Sequence, residues 1–311
     1  MSVDIKECRL CPRNCGVDRS QGQRGYCGMT QEIRLARASL HMWEEPCISG
    51  KNGSGTVFFT GCPLRCIFCQ NREIALGDVG KAVSIERLVE IFFELKAKGA
   101  HNINLVTPTH YVPQIAQALE KAKDAGLKLP VVYNTGSYEN VETLKMLDGL
   151  IDIYLPDFKY DSSELAMKYS HALDYREVAD AAIHEMLRQV GKPVFDGDML
   201  QRGVIVRHLV LPGHTKDSKA IIRHLIEEYH NDIYISIMNQ YTPLEGLTEY
   251  PELQRKVTAR EYERVIDYAI NIGIENGFIR RGIQHAKALF LIFPVKVYKR
   301  RLIRNVSKLY I

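Results

Sequence analysis

From residue 56 onward, short apolar runs rich in β-branched residues alternate with longer segments whose apolar positions recur at the helical period. The runs predict strands at 56–60, 103–106, 131–134, 152–155, 204–211 and 232–238. The periodic segments predict helices at 85–98, 113–125, 141–147, 175–190, 218–229 and 259–272. Strands that are apolar on both faces, each followed by a helix, indicate a buried parallel sheet.

Six strand–helix units are too few for a complete eight-stranded barrel. The pattern therefore predicts an α/β fold of parallel strands whose barrel is either widened or left incomplete as a partial (β/α)6 barrel, with ligands at the carboxyl ends of the strands. We expect a cysteine-rich, metal-binding N-terminal extension at 1–50, the barrel at 51–280, and an apolar and then basic C-terminal tail at 281–311.

The composition is that of a globular protein: 311 residues, of which 46% are hydrophobic and 25% charged. The formal charge of +4 is small and dispersed, which argues against a nucleic-acid partner. No apolar run predicts a membrane span, and the first residues lack a signal-peptide core, so we expect a cytoplasmic protein. In that compartment the eight cysteines are expected to be reduced, metal-binding thiols rather than disulfides.

Three of these cysteines, Cys62, Cys66 and Cys69, form a C-x3-C-x2-C loop just after the first predicted strand. Three thiolates in one loop can bind three irons of a [4Fe–4S] cluster, which leaves the fourth iron open to a ligand that is not protein. A structural zinc would need a fourth ligand, and segment 70–100 supplies neither cysteine nor histidine. Unliganded core thiols are the other alternative, and the cluster is the favoured interpretation.

This loop, with the aromatic Phe68 before its last cysteine, resembles that of the radical S-adenosylmethionine (SAM) superfamily. The wider chain looks most like relatives of the pyruvate formate-lyase activating enzyme. The resemblance implies that Cys62, Cys66 and Cys69 hold the cluster, that its open iron binds SAM, and that Phe68 packs near the adenine. Reductive cleavage of SAM then yields a 5′-deoxyadenosyl radical that abstracts hydrogen. It also implies a one-electron reductant such as flavodoxin or ferredoxin.

The ends of the second and third predicted strands carry polar residues that could contact SAM or a substrate, and the second departs from the family's motif. Where the family often has a Gly-Gly-Glu motif for the SAM amino group, this chain has Thr107, Thr109 and His110, whose hydroxyls and carbonyls would have to replace it. His110 is equally well explained as a loop residue bonded to backbone. Asn134, at the end of the third strand, is suited to approach a ribose or a substrate.

The fourth and fifth strands supply the charged candidates. Asp157 and Lys159 resemble an Asp-x-Lys motif of the activating enzymes, which implies a role in orienting the methionine carboxylate, although a plain ion pair is the alternative. Arg207 lies in an apolar strand and must have a partner, because burying an unpaired guanidinium is prohibitive. The resemblance suggests the SAM carboxylate. Strand alternation puts Arg207 and His208 on opposite faces, and we expect Arg207 to point inward.

A second group of cysteines, Cys8, Cys11, Cys15 and Cys27, lies near the amino terminus among glycines. Four thiolates fit a structural zinc, and they fit a second [4Fe–4S] cluster equally well. A redox pair at Cys8 and Cys11 is less favoured, because no strand precedes it. Cys47 has no companion and is expected to be a packing thiol.

The sequence therefore predicts a radical SAM oxidoreductase whose substrate it does not identify. If the chain is an activating enzyme, its substrate is a backbone glycine of another protein. Another peptide or a small molecule is the alternative within the class, and a non-catalytic iron–sulfur electron-transfer protein is the alternative outside it. A zinc module that binds nucleic acid is disfavoured by the lack of a basic, aromatic surface pattern.

Overall fold

A computed structural model of the protein describes residues 6–77, 79–281 and 289–294. Its strands are β1 Arg34–His41, β2 Ser54–Phe59, β3 Lys81–Ala82, β4 Ile103–Val106, β5 Val131–Thr135, β6 Ile153–Pro156, β7 Val194–Asp196, β8 Met199–Leu209, β9 Tyr234–Met238, β10 Asn276–Arg281 and β11 Leu289–Pro294. Its helices are α1 Pro46–Ser49, α2 Arg72–Leu76, α3 Ile85–Ala97, α4 Val112–Asp124, α5 Val141–Lys145, α6 Ser163–Ser170, α7 Tyr175–Val190, α8 Thr215–Tyr229 and α9 Ala259–Asn271. Short 3-10 turns span Arg19–Gln21, Thr109–Tyr111 and Pro251–Gln254.

The described strands form one sheet in the order β11-β10-β9-β8-β6-β5-β4-β2-β1-β3, with β7 beside β8. The path from β2 to β10 is parallel at every step, and antiparallel strands lie at both ends of it. The predicted α/β fold with a mostly parallel, partial barrel is therefore confirmed. All six predicted strands and all six predicted helices are present, with small shifts in their bounds.

Local sequence explains where the longer helices begin. The hydroxyls of Ser84 and Ser162 accept backbone N–H groups at the start of α3 and α6. Thr258 and Glu261 form a capping box at the start of α9. These caps satisfy donors that a helix leaves unpaired, and they hold each helix in register with the strand it covers.

The two faces of the sheet are covered differently. Residues such as Val131, Tyr154 and Val206 belong to a large core shared with the long helices. On the opposite face, Val132, Ile153, Leu155 and Ile205 pack with Cys47 and Ile48 of α1 in a smaller cluster. Because α1 lies between the end of β1 and the start of β2, it closes the barrel interior at the amino ends of the strands.

Five of the described strands were not predicted from the sequence: β1, β3, β7, β10 and β11. β1 runs antiparallel to β2, and β10 adds a seventh parallel strand beside β9. Most of the predicted tail at 281–311, including its basic residues at 299–301, lies outside the described residues. No helix in the described part of the chain is long and apolar enough to cross a bilayer.

Candidate active site at the carboxyl ends of the strands

The cysteine loop begins where β2 ends, and a glycine makes the turn. Gly61 has φ +90°, and a Cβ there would lie 2.5 Å from Met29 Cγ and 2.8 Å from the Cys27 carbonyl oxygen. The backbone N–H of Cys69 donates to the Cys66 carbonyl at 3.1 Å. This close turn holds the loop against the N-terminal segment at the carboxyl edge of the sheet.

The three thiols of this loop interact with one another. Burial, reinforced by Cys66, raises the pKa of Cys62 to about 12 and the pKa of Cys69 to about 11. The Ser170 hydroxyl, at the end of α6, donates to Cys66 Sγ at 3.0 Å. The thiols are therefore within electrostatic reach of one another, and binding of a metal would favour the thiolates that burial alone disfavours.

This donor set fits an iron–sulfur cubane better than a single ion. In residues 6–77, 79–281 and 289–294, no three histidine, cysteine or acidic side chains converge on one point to enclose a metal ion. Each cysteine ligand of a cubane binds a different iron, so its ligands do not need to converge. Three partly buried thiols with a hydroxyl donor at one sulfur are suited to hold such a cluster.

Phe68 is enclosed by aromatic rings. Its centroid lies 6.4 Å from that of Tyr160, 6.1 Å from that of Tyr169 and 6.2 Å from that of Tyr241, all in edge-on geometry. Tyr241 follows β9, which brings the last predicted strand end to the cysteine loop. Phe68 therefore lies in an aromatic wall beside the thiols, and its contact with an adenine stays a prediction.

Asp157, Lys159 and Arg207 lie together in one buried charge network. Lys159 Nζ is 2.6 Å from Asp157 Oδ2, and the Arg207 guanidinium is 2.8 Å from Asp157 Oδ1. Arg207 also donates to Asn134 Oδ1 at 2.6 Å and to Glu44 Oε2 at 3.2 Å. Arg207 thus points to the interior.

His208 points the opposite way, toward α8. Its ring nitrogens lie 2.8 Å from the Phe158 carbonyl and 2.9 Å from Ser218 Oγ. Burial lowers the pKa of His208 to about 4, so it is a neutral structural residue.

The electrostatics of this network follow from burial and pairing. Burial alone would raise the pKa of Asp157, but Arg207 and Lys159 together lower it. Burial works against the charge of Lys159, yet Asp157 and then Cys66 raise its pKa. The pKa of Glu44 is raised to about 7, mainly by burial and despite Arg207. Lys159 is therefore a fixed cation between Asp157 and the cysteine loop.

The three candidates after the second predicted strand, Thr107, Thr109 and His110, differ in burial and in their partners. Thr107 has φ +55°, a strained conformation for a threonine, and its N–H donates to the Asn134 carbonyl at 2.9 Å. His110 is buried, with Nε2 2.7 Å from the Thr60 carbonyl, and burial lowers its pKa to about 3. Thr109 donates to the buried Glu139 carboxylate at 2.6 Å. Of this strand end, only Thr107 keeps a partly exposed position beside the network.

The four N-terminal cysteines gather in one place. Burial raises the pKa of Cys11, and Cys27, Cys15 and Cys8 raise it further. The turn is tight, because a Cβ on Gly25 would lie 2.9 Å from Cys15 Sγ. By number the four thiols suit either zinc or a cluster, but within the described part of the chain they do not converge on one point as the ligands of a bound zinc do.

Sequence reasoning missed three residues that the fold brings to this region. Arg13, between the N-terminal cysteines, donates to the Pro63 carbonyl at 2.8 Å, to the Ser170 carbonyl at 2.7 Å and to the His171 carbonyl. Glu44 and Glu45 enter the barrel interior from the segment before α1. The adjacent pair Glu44 and Glu45 before Pro46 is visible in the sequence. Its position in the barrel interior could not be predicted, because it depends on strand β1, which was not predicted.

Comparisons with known proteins agree with this geometry. The family model of the Radical SAM superfamily matches residues 56–225, more than half of the chain. The curated protein MJ0674 of Methanocaldococcus jannaschii, itself uncharacterised, is 28% identical over 274 residues, covering 85% of this chain and 75% of its own.

Among solved structures, SuiB of Streptococcus suis bound to its precursor peptide SuiA aligns with a TM-score of 0.50 and 16% identity, over 72% of this chain and 47% of its own length. The chain thus matches about half of that protein. A radical SAM methyltransferase from Sphaerobacter thermophilus aligns with a TM-score of 0.46 and 14% identity, covering 76% of this chain and 69% of that one. On the family match, with its three-cysteine loop at the barrel edge, the chain belongs to the radical SAM superfamily.

Proposed function

We propose that this radical SAM enzyme binds its [4Fe–4S] cluster through Cys62, Cys66 and Cys69 and cleaves SAM at the cluster's open iron. The observation that carries the proposal is the set of three mutually interacting thiols beside the buried Asp157–Lys159–Arg207 network. When bound, the cluster supplies the electron for reductive cleavage. The family's cofactors are this cluster and SAM.

The protein residues bind and orient SAM. Arg207 and Lys159 are the cations available to its carboxylate, and Asp157 holds both of them in place. Phe68, within its aromatic wall, is the candidate contact for the adenine. Asn134 and Thr107 are the polar groups for the ribose or the amino group, since the chain has no Gly-Gly-Glu motif at this strand end.

The N-terminal cysteines form a second metal centre in this proposal. Cys8, Cys11, Cys15 and Cys27 hold either a structural zinc or an auxiliary [4Fe–4S] cluster. Metal analysis distinguishes the two, because iron-reconstituted protein contains four additional irons per chain only if the second centre is a [4Fe–4S] cluster.

A protein or peptide is the substrate class that we favour. SuiB, a neighbour in fold, is described in complex with a precursor peptide, so this barrel type can accommodate one. Activation of a glycyl radical enzyme is the specific form that the sequence resemblance suggests. The reductant would be a cytoplasmic flavodoxin or ferredoxin, and the reaction would place the enzyme among the oxidoreductases.

The test is anaerobic reconstitution with iron and sulfide, reduction, addition of SAM, and chromatography for 5′-deoxyadenosine and methionine. We expect both products above the background of a Cys66→Ala variant. An intact, reducible cluster that cleaves no SAM, with or without cell extract as a source of substrate, would contradict the proposal. That result would favour the alternative, an iron–sulfur electron-transfer protein.

A further inference from the structure

The barrel interior carries more negative than positive side chains. Glu44, Glu45 and Asp157 face Arg207 and Lys159, so three carboxylates meet two cations in one buried network. The Glu44 side chain is 9% exposed and its pKa is raised to about 7, mainly by burial, with Arg207 unable to offset it fully. A surplus buried carboxylate is costly, and the cost is relieved either by a proton, as the raised pKa of Glu44 indicates, or by a cation that binds beside it.

Two polar side chains of this region have atoms without partners. Asn104, on β4, is fully buried, and neither atom of its amide makes a hydrogen bond among the described residues. Glu45 is 4% exposed, and its Oε2 makes none either. The Asn104 amide approaches Glu44 closely enough to lower its pKa without reaching hydrogen-bond geometry. Such unpaired buried groups are rare unless a ligand or a water pairs with them.

These groups lie on the far side of Arg207 from the cysteine loop. Lys159 and Asp157 interact with the loop thiols, whereas Glu44 interacts chiefly with Arg207, Glu45 and Asp157. Glu44 and Glu45 also come from the segment next to α1, which closes the amino ends of the strands. The cysteine loop occupies the opposite edge. SAM, held at the loop and by Arg207, would therefore leave this inner end to another molecule.

We propose that Glu45 and Asn104, together with Glu44, form a subsite for a cationic N–H group of the substrate, an ammonium or a guanidinium. The carboxylate of Glu45 and the amide oxygen of Asn104 accept its hydrogen bonds, and its charge balances the third carboxylate. This assignment rests on the proposed function, because it describes the substrate of that same site. A peptide would fill it with a lysine or arginine side chain, or with its amino terminus.

The experiment titrates the reconstituted holoprotein, in saturating SAM and without reductant, with n-butylammonium, N-propylguanidinium and neutral butan-1-ol by calorimetry. We expect saturable binding of a cation only, at least about tenfold weaker in Glu45→Gln, since a hydrogen bond to a charged group is worth that much. Glu90→Gln, an exposed glutamate on α3, is the matched control and should bind as the parent does. Equal binding in Glu45→Gln and the parent, or no saturable binding, would overturn the assignment.

A second measurement does not depend on the probe. Buried polar groups that lack partners destabilise the protein when no ligand is bound. Glu45→Gln and Asn104→Leu should therefore each raise the midpoint of thermal unfolding without added cation. A lower or unchanged midpoint in both variants would show that the two side chains do not destabilise the empty protein, and it would overturn the subsite.

SAM also carries an ammonium, so it must be excluded as the occupant. If raising SAM displaces the alkylammonium competitively, SAM's own amino group fills the subsite, and the assignment to substrate is wrong. SAM cleavage is measured separately on the same samples. Cleavage without cation binding refutes only the subsite, and cation binding without cleavage refutes only the proposed chemistry.

Discussion

The protein gathers thiols in two regions that differ in what surrounds them. The cysteine loop at 62–69 offers three thiols, opens toward the barrel interior, and lies beside Lys159 and a charge network. The N-terminal group has four thiols. Its neighbour Arg19 donates to the Thr30 and His110 backbone carbonyls. A three-thiol set leaves a coordination position for chemistry, whereas a four-thiol set is closed and suits structure or electron transfer.

Arg13 is one of the side chains that join the two regions. Arg13 projects from between Cys11 and Cys15 and donates to carbonyls at Pro63, Ser170 and His171. Its guanidinium also stacks 4.0 Å from the Tyr26 ring centroid. Since the Ser170 hydroxyl donates to Cys66, Arg13 links the N-terminal group to a proposed ligand of the catalytic cluster.

The largest expected difference between the regions is in SAM cleavage. Cys69→Ala removes one of the three proposed cluster ligands, and we expect cleavage to fall to background. Cys11→Ala removes one of the four proposed ligands of the other centre, and we expect cleavage to persist at a reduced rate with a lower unfolding midpoint. The measurement is 5′-deoxyadenosine formation, together with iron and zinc content per chain.

Metal content provides the control for that pair. Cys69→Ala should lose iron, while Cys11→Ala should lose whichever metal the N-terminal group holds. If both variants lost SAM cleavage completely while Cys11→Ala kept a full catalytic cluster, the N-terminal centre would take part in the reaction, and the contrast between the regions would be wrong.

The part of the site that sequence could predict is local. The C-x3-C-x2-C spacing brings three thiols into one loop whatever fold surrounds it. Strand alternation was enough to place Arg207 and His208 on opposite faces. Parallel strands, apolar on both faces, predicted the sheet. These patterns depend only on neighbours in sequence.

What sequence could not predict depends on chain reversals. Glu44 reaches Arg207, 163 positions away, only because β1 pairs antiparallel with β2 and returns the chain beneath the barrel. β1 has a partly exposed, irregular pattern with a bulge between Leu35 and Arg37, so it gave no clear alternation. Arg13 looked like a surface cation between cysteines, and its carbonyl partners lie up to 158 positions away.

Arg13→Ala should have the next largest effect. It removes charge-assisted hydrogen bonds to carbonyls beside Cys62 and beside Ser170, the donor to Cys66, so we expect SAM cleavage to fall about tenfold. The electron paramagnetic resonance signal of the reduced cluster with SAM should broaden, which a loss of folded protein alone would not produce. Arg13→Lys should restore part of the activity.

Arg9→Ala is the matched control for Arg13. Arg9 lies in the same cysteine group, is exposed, and pairs with the exposed Glu7. It should leave cleavage and the resonance signal unchanged. An equal effect of the two substitutions would show that general charge near the N-terminal group, rather than the contacts of Arg13, supports the loop.

Ser170→Ala tests the hydroxyl that donates to Cys66 Sγ. A hydrogen bond to a thiolate stabilises the reduced cluster, so its loss should lower the reduction potential. At about 1 kcal/mol for the bond, the shift for one electron is roughly 40 mV. Ser163→Ala, at the other end of α6, should not shift the potential measured by redox titration, and an unchanged potential in Ser170→Ala would show that the contact does not tune the cluster.

The smallest effect is expected at Cys47, a thiol that belongs to neither group. It lies in α1, is fully buried and packs with Ile48, Val132 and Ile205, and no second thiol was predicted to accompany it. Cys47→Ala should cost about 1 kcal/mol in the free energy of unfolding, from the small cavity it leaves, with unchanged metal content and SAM cleavage. Burial does not by itself distinguish a packing thiol from a metal ligand, since Cys11 and Cys27 are also buried. A loss of iron in this variant would therefore identify Cys47 as a ligand and contradict its assignment as a packing thiol.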